Sequence, residues 1–179
     1  MNLNIFQRLA GRVIIIAVSL LISPFLRAEV LVGFSPEGSA QQLVISTLAS
    51  AKSSICLLGY SFTSPDVVST LMDAKRRGVD VNVVLDEKGN RSKASIAAMN
   101  LLVNAGIEVK TVSRYPILHD KVAVIDGVTT QTGSFNYSRA AQRNSENVVV
   151  MRNMPEVAQI YLQHCQQRRS QGQAWQSTY

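Results

Sequence analysis

The sequence predicts a mixed α/β domain in which a largely parallel sheet is sandwiched between helices. Three observations carry that expectation. Short runs rich in Val, Ile and Leu alternate with helix-length stretches from Glu29 onward, the helical stretches begin and end on capping residues, and the alternation later gives way to an Asp-Gly turn signal. Strand-helix-strand repetition implies parallel strands, because a parallel crossover needs a connection about as long as a helix. The late turn adds antiparallel pairing and makes the sheet mixed.

Val30 to Phe34, Ser54 to Tyr60, Val79 to Leu85 and Ile107 to Val112 read as strands, with Ala40 to Ala51, Pro65 to Arg77 and Lys93 to Asn104 as the helices between them. Ser64-Pro65-Asp66 supplies an N-cap, a proline at the first helical position and an acidic first turn. Lys75-Arg76-Arg77-Gly78 closes the same helix with cations at the negative end of its dipole and a glycine beyond. Leu118 to Ile125 and Val128 to Thr132 are strand-like and flank Asp126-Gly127, a hairpin signal. Asn147 to Met151 gives a last strand, Pro155 to Arg169 a closing helix, and the Gln- and Ser-rich tail from Ser170 is expected to fray.

Ahead of Glu29 stands a segment of another kind. Arg8 and Arg12 lead into the apolar run Val13 to Ile22, followed by Pro24 and the small residue Ala28. A charged lead, an apolar run of about ten residues and a small-residue end describe a secretory signal peptide, too short for the 18 or more apolar residues of a spanning helix. Residues 1–28 are therefore expected to be an export signal, with an uncleaved anchor as the alternative, and residues 29–179 a single domain. The chain carries 18 Lys and Arg against 12 Asp and Glu, a formal charge of +6. Three of the basic residues, Arg8, Arg12 and Arg27, lie in the export segment, so the remainder holds 15 against 12, too small an excess to identify a polyanionic partner. Composition excludes a disordered tail protein, a polytopic membrane protein and, with only two cysteines, a disulfide-dense scaffold. Cys56 lies in an apolar strand and Cys165 in the last helix, and the expectation is two small buried hydrophobes rather than a disulfide.

The chemistry concentrates between residues 119 and 136. His119-Asp120-Lys121 is followed after four residues by Asp126 and, after six more, by Gly133-Ser134-Phe135-Asn136. Side chains alternate along a strand, so His119 and Lys121 share a face about 7 Å apart, and Ser134 and Asn136 share a face on the return strand. An imidazole, an ammonium, a hydroxyl and a carboxamide converging on one point suit transfer at a phosphodiester, where charge on the non-bridging oxygens must be held while phosphorus is attacked.

The pattern H-x-K-x4-D-x6-G-S-x-N resembles the HKD motif of the phospholipase D superfamily at every defined position. Six fixed residue types at about 5% usage each would coincide on the order of once in 10⁷ to 10⁸ starting positions. Val32 to Pro36, Tyr60 to Pro65, Gly89 to Lys93 and Asn144 to Asn147 extend the resemblance to the short bacterial Nuc-type endonucleases, which are exported, metal-independent enzymes that cleave DNA and RNA with little sequence preference. The resemblance implies the phospholipase D/nuclease-type sandwich, a periplasmic location, His119 as the nucleophile that forms a phosphohistidine, and Lys121, Ser134 and Asn136 as holders of the transition-state oxygens. It further implies that Glu146 orients the nucleophile's other ring nitrogen. Asp126 has two readings, a catalytic contact and the builder of the Asp-Gly turn.

Transfer through a histidine needs a second group to protonate the leaving oxygen, and the family uses a second HKD histidine. The chain has only His119 and His164, and His164, on the last helix among Gln and Arg, reads as a surface residue. The missing histidine is therefore expected from a second copy, in a homodimer whose active site is shared across the two-fold axis. No cofactor and no metal are expected, since no metal-ligand spacing is present and Lys121 beside His119 would repel a divalent cation. Lys88, Arg91 and Lys93 follow one strand, and Arg139 and Arg143 follow the GSxN element; these five are the candidates for holding a nucleic-acid backbone without sequence preference. A phospholipid headgroup is the alternative substrate, and a non-enzymatic phosphate- or DNA-binding module a third reading.

Overall fold

The computed structural model describes residues 27–177, so the expected export segment, save its last two residues, lies outside the described residues. These form strands β1 (Glu29–Ser35), β2 (Ser54–Gly59), β3 (Asp80–Asp86), β4 (Glu108–Val112), β5 (Lys121–Ile125), β6 (Thr129–Gly133), β7 (Glu146–Arg152) and β8 (Gln173–Ala174). Helices α1 (Ser39–Ala49), α2 (Pro65–Arg76), α3 (Lys93–Asn104) and α4 (Pro155–Gln171) complete the fold, with short 3-10 turns at Lys88–Asn90 and Ala140–Gln142. Ser64 caps α2 by accepting from the Val67 N–H at 3.4 Å, and Gly78 beyond its end takes φ 89°, as the capping signals predict.

One sheet runs in the order β1-β7-β6-β5-β2-β3-β4-β8. It is mixed, and helices sandwich it, but parallel pairing is confined to β2-β3-β4, and every other neighbouring pair is antiparallel. The strands whose sequence suggests parallel order are those joined by helices; β5, β6 and β7 follow one another by short connections and alternate in direction. Because β5 runs against β2, its first residue, Lys121, lies opposite Gly59, the last residue of β2. The same reversal brings the ends of β2, β3 and β6 and the starts of β5 and β7 to one end of the sheet.

The hairpin between β5 and β6 forms where the Asp-Gly pair predicts it. Asp126 and Gly127 have φ 54° and 66°, and the Val128 N–H donates to the Ile125 carbonyl at 3.1 Å. Both central residues are left-handed, the conformation in which a tight turn matches the twist of its strands.

The sheet's two faces are covered unequally. On one face Ile55, Leu57, Val81, Val83, Leu85, Ala123 and Val150 are buried with apolar residues of α1, α2 and α3. On the other face Cys56, Leu58, Val84, Val122 and Val124 pack with Ala158 and Cys165 of α4. Residues 158, 161, 162 and 165 make a single apolar stripe along α4.

Two expectations are corrected here. Cys56 and Cys165 form a disulfide rather than standing as two separate thiols. The alternation of β2 turns Cys56 toward α4, while the stripe of α4 turns Cys165 toward the sheet, a convergence that spacing in the sequence does not reveal. The tail from Ser170 does not fray at once: α4 continues to Gln171, β8 pairs with β4, and Trp175 donates from its indole N–H to Asn100 Oδ1 at 2.8 Å.

Candidate active site

The site lies at the end of the sheet where β2 and β3 finish and β5 begins. His119 precedes β5 rather than lying inside it, and is exposed, while Lys121 is buried at 6% exposure. The two are tied directly, since Lys121 Nζ donates to the His119 carbonyl at 2.8 Å. Tyr60, just beyond β2, backs both: its ring lies 4.8 Å from the His119 ring, centroid to centroid, and 5.3 Å from Lys121 Nζ. A tyrosine face under a desolvated ammonium is an attractive contact. Burial pushes the Lys121 ammonium below the usual lysine range, against the opposing pull of the Glu146 and Asp120 carboxylates.

The second half of the motif arrives on the loop after β6. Gly133 has φ 145°, and a Cβ there would collide with the carbonyl of Asn147, so glycine is required for the close approach of this loop to β7. Asn147 then holds Ser134 from two sides. Its side-chain oxygen accepts from the Ser134 N–H at 2.9 Å, and its own N–H donates to Ser134 Oγ at 3.0 Å, which leaves the hydroxyl proton to be donated elsewhere. Asn136 Oδ1 is buried with no hydrogen-bond partner among the described residues. A half-turn of that amide presents its NH₂ instead, so the group is a polar head available to a ligand.

Glu146, first in β7, accepts from Asn144 Nδ2 at 3.1 Å and acts electrostatically on Lys121, rather than meeting the His119 ring as the resemblance implies. The five candidate backbone-binding cations are exposed and follow strands that end here: Lys88 in the 3-10 turn after β3, Arg91 beyond it, Lys93 at the start of α3, and Arg139 and Arg143 on the connection after β6. Arg91 pairs with Glu87 at 2.5 Å in an exposed surface contact that solvent screens.

The structure removes Asp126 from the site. It sits at the far end of β5, about 20 Å from His119 at roughly 3.3 Å per residue. Its carboxylate accepts from the N–H groups of Lys52, Ser53 and Ser54 and from Ser53 Oγ, at 2.8 to 3.2 Å. Partial burial opposes ionisation, but these donors together hold the carboxyl below its usual range. Its position in the motif reflects the hairpin and its tie to the start of β2.

His164 is also placed differently from the expectation. It is partly buried, and its Nε2 lies 3.3 Å from Asp120 Oδ1, directly behind the motif. Sequence reasoning further missed Asp86 and Asn90, each 2% exposed. Asp86 accepts from the Leu118 N–H at 2.8 Å and the Gly89 N–H at 2.6 Å, while Asn90 donates to the Tyr60 carbonyl at 2.6 Å and accepts from the Phe62 N–H at 2.9 Å. The available signal was a polar pair ending an apolar strand.

Comparison with known proteins agrees with this geometry. The family described as "Cardiolipin synthase, PLD-like domain" matches residues 44–169. A curated relative named Phospholipase D from Rickettsia bellii is 34% identical over 150 residues, 83% of this chain and 73% of the relative. The mitochondrial cardiolipin hydrolase of Mus musculus is 33% identical over 128 residues, 71% of this chain and 56% of the relative. Among solved structures, the phospholipase D family member Nuc from Salmonella typhimurium is 53% identical, covers 84% of this chain and 100% of its own, and superposes with a TM-score of 0.83. NucT from Helicobacter pylori, at 22% identity and a TM-score of 0.72 over 83% of this chain and 100% of its own, shares the fold.

Asp126→Ala should destabilise the protein by about 1–3 kcal/mol through its orphaned backbone donors, seen as a lower melting temperature, while activity per folded molecule at 25 °C stays within twofold. The contribution of Asp126 should be present above its ordinary value of 3.8 and lost as pH falls through the lower folded value. Lost activity at unchanged stability would return Asp126 to the site.

Proposed function

The chain belongs to the phospholipase D superfamily and is a phosphodiesterase, and on that premise we propose that it is an exported, sequence-non-specific endonuclease acting on DNA and RNA without a metal. The observation that carries this reading is the convergence of His119, Lys121, Ser134 and Asn136 at one end of the sheet, ringed by exposed Lys88, Lys93, Arg139 and Arg143. His119 attacks phosphorus and displaces an alkoxide, forming a phosphohistidine that water then hydrolyses. Lys121, Ser134 and Asn136 hold the charged oxygens of the transition state. Cations on exposed loops contact phosphates rather than base edges, which gives affinity without sequence preference. Metal is unnecessary on this account because an ammonium occupies the place where a cation would neutralise the phosphoryl oxygens.

Leaving-group protonation needs a second histidine, and His164 is engaged behind the motif, on the α4 side. We assign that role to His119 of a second copy. A bare sheet face supports the pairing. Val30, Val32 and Phe34 of β1 are 53 to 57% exposed and lie in register with Met151, Val149 and Asn147 of β7, on the side of the sheet that carries α4. β7 begins at Glu146, so a partner seated there adjoins the site.

A phospholipid substrate is the second reading, favoured by the similarity to relatives named Phospholipase D and mitochondrial cardiolipin hydrolase. Residues 29–179 assayed with EDTA should cleave plasmid DNA, and His119→Ala should lose at least a thousandfold in rate. Headgroup release from phosphatidylcholine without DNA cleavage would select the lipid reading, and cleavage surviving in His119→Ala would remove the nucleophile. Mixing wild-type and His119→Ala protomers should yield inactive mixed dimers, whereas an active monomer would refute the shared site. Lys121 must stay charged, so activity should fall on the alkaline side at a pH below the ordinary lysine value of 10.5. Glu146→Gln removes a carboxylate that favours the ammonium and should shift that alkaline limb further down; an unmoved limb would separate Glu146 from Lys121.

A further inference from the structure

Resting on the phosphodiesterase reading of the site, we propose that Asp120 and His164 are positioning residues for His119 and Lys121, held in place by the Cys56–Cys165 disulfide, so that turnover depends on that bond being oxidised. His119 and Lys121 flank Asp120, whose side chain alternates to the opposite side of the chain and meets His164 Nε2 at 3.3 Å. The next residue of α4, Cys165, is bonded to Cys56 of β2. Three residues further along β2, Gly59 pairs with Lys121. Adjacent residues of α4 thus grip both the strand that carries the motif and the neighbour that sets its register.

Near the middle of α4 Cys165 is the only fully buried residue. Ala158 is buried nearer the helix start, Tyr161 and Leu162 pack partly buried against the same core, and the polar ties lie toward the helix ends: Gln159 to the Gly127 carbonyl, the Arg169–Glu108 ion pair, and Tyr115 to Gln171. With the disulfide opened, these contacts keep the helix docked while the turn bearing His164 is free to shift. A displacement of about 1 Å in a reacting group can cost a hundredfold in rate. Cys165 is fully buried and Cys56 is 7% exposed, so a reductant meets the bond from the Cys56 side. There a cleft of about 160 Å³ between α4 and the β2-β3 pair is lined by Ser54, Cys56, Asn82, Leu162 and Gln166.

The chemistry is thiol-disulfide exchange. A dithiol's thiolate attacks one sulfur and displaces the other as a thiolate, and the second thiol of the reductant then resolves the mixed disulfide. Two electrons and two protons pass to the protein, leaving Cys56 and Cys165 as thiols and the reductant as its own disulfide. Such an enzyme is held down wherever thiols are kept reduced and becomes fully active in an oxidising compartment, which would spare the nucleic acid of the compartment where it is made.

The test compares the oxidised protein with the same sample under anaerobic dithiothreitol at 25 °C, using plasmid DNA and phosphatidylcholine vesicles as substrates and circular dichroism to follow folding. Reduction should leave the chain folded, lower kcat at least tenfold with KM within threefold, and be reversed by reoxidation. Asp120→Asn and His164→Ala, each with the disulfide intact, should show the same loss confined to kcat. His164→Gln should recover part of it, because its amide can still donate to Asp120, and Gln163→Ala, an exposed neighbour, should not change it. A reduced enzyme with kcat within twofold of the oxidised one overturns the proposal, as does a chain that unfolds on reduction or a full-rate His164→Ala. If the oxidised wild type cleaves neither substrate, or His119→Ala cleaves as well as it does, the reading of the site fails instead.

Discussion

A buried carboxylate at the end of β3 sets the geometry of the reactive end. Asp86 is 2% exposed, and the free energy of burying a charge is tolerable only where hydrogen bonds meet its lone pairs. The donors are backbone N–H groups of Gly89 and Leu118, so what satisfies the charge is the chain that must be placed. Leu118 immediately precedes His119. Asn90 extends the same network to the Tyr60 carbonyl and the Phe62 N–H, where β2 runs out under the histidine ring. Gly89 is confined by this arrangement as well, since a Cβ there would stand 2.8 Å from the Tyr60 ring. The loops after β2 and β3 and the entry to β5 therefore form one polar unit, and His119 rides on it.

Lys121 shows the opposite balance. It is nearly as buried as Asp86, yet its ammonium has one carbonyl acceptor, an aromatic face and two carboxylates at a distance, so burial still pushes it below the usual lysine range. An incompletely satisfied buried cation is costly in a resting structure and useful at a phosphoryl centre. A phosphoryl oxygen supplies the partner the protein withholds, and little solvent has to be reorganised when it does. The unpaired Asn136 amide has the same character on the facing loop. Lys121 and Asn136 are thus two polar groups, short of partners, that stand at the end of the sheet carrying the motif.

Much of this was legible in the residues. Val-rich runs, the Ser64-Pro65 cap and the Asp126-Gly127 pair each encode a local conformation, and local conformation is what periodicity and turn chemistry report. The four motif side chains were legible for a different reason, because a tight hairpin sets the end of β6 beside the start of β5, although of the four only Lys121 lies within a strand. Contacts between distant segments were not. Cys56 meets Cys165, His164 meets Asp120, and Asp86 meets Leu118 only after the sheet order is set, and the order β5-β2 joins segments that are far apart in the chain. Of the two readings of Asp126 the structure favours the turn, since the carboxylate serves the hairpin and the start of β2.

The unequal covering of the sheet bears on how many chains make a site. Three helices cover one face, while on the other α4 packs over Cys56, Leu58, Val84, Val122 and Val124 and leaves the β1-β7 margin to Val30, Val32 and Phe34. An apolar edge of this kind invites association, and sheet proteins ordinarily blunt it with charge, a bulge or a covering segment. Within the described residues the row has neither charge nor cover on β1. On the proposed mechanism transfer through a phosphohistidine calls for two HKD histidines, and the chain carries one. Only β7 separates the bare row on β1 from β6, which leads into Ser134, since β7 pairs with both. On the proposed pairing one two-fold contact corrects both deficits, because an isologous interface necessarily presents the same histidine from each side.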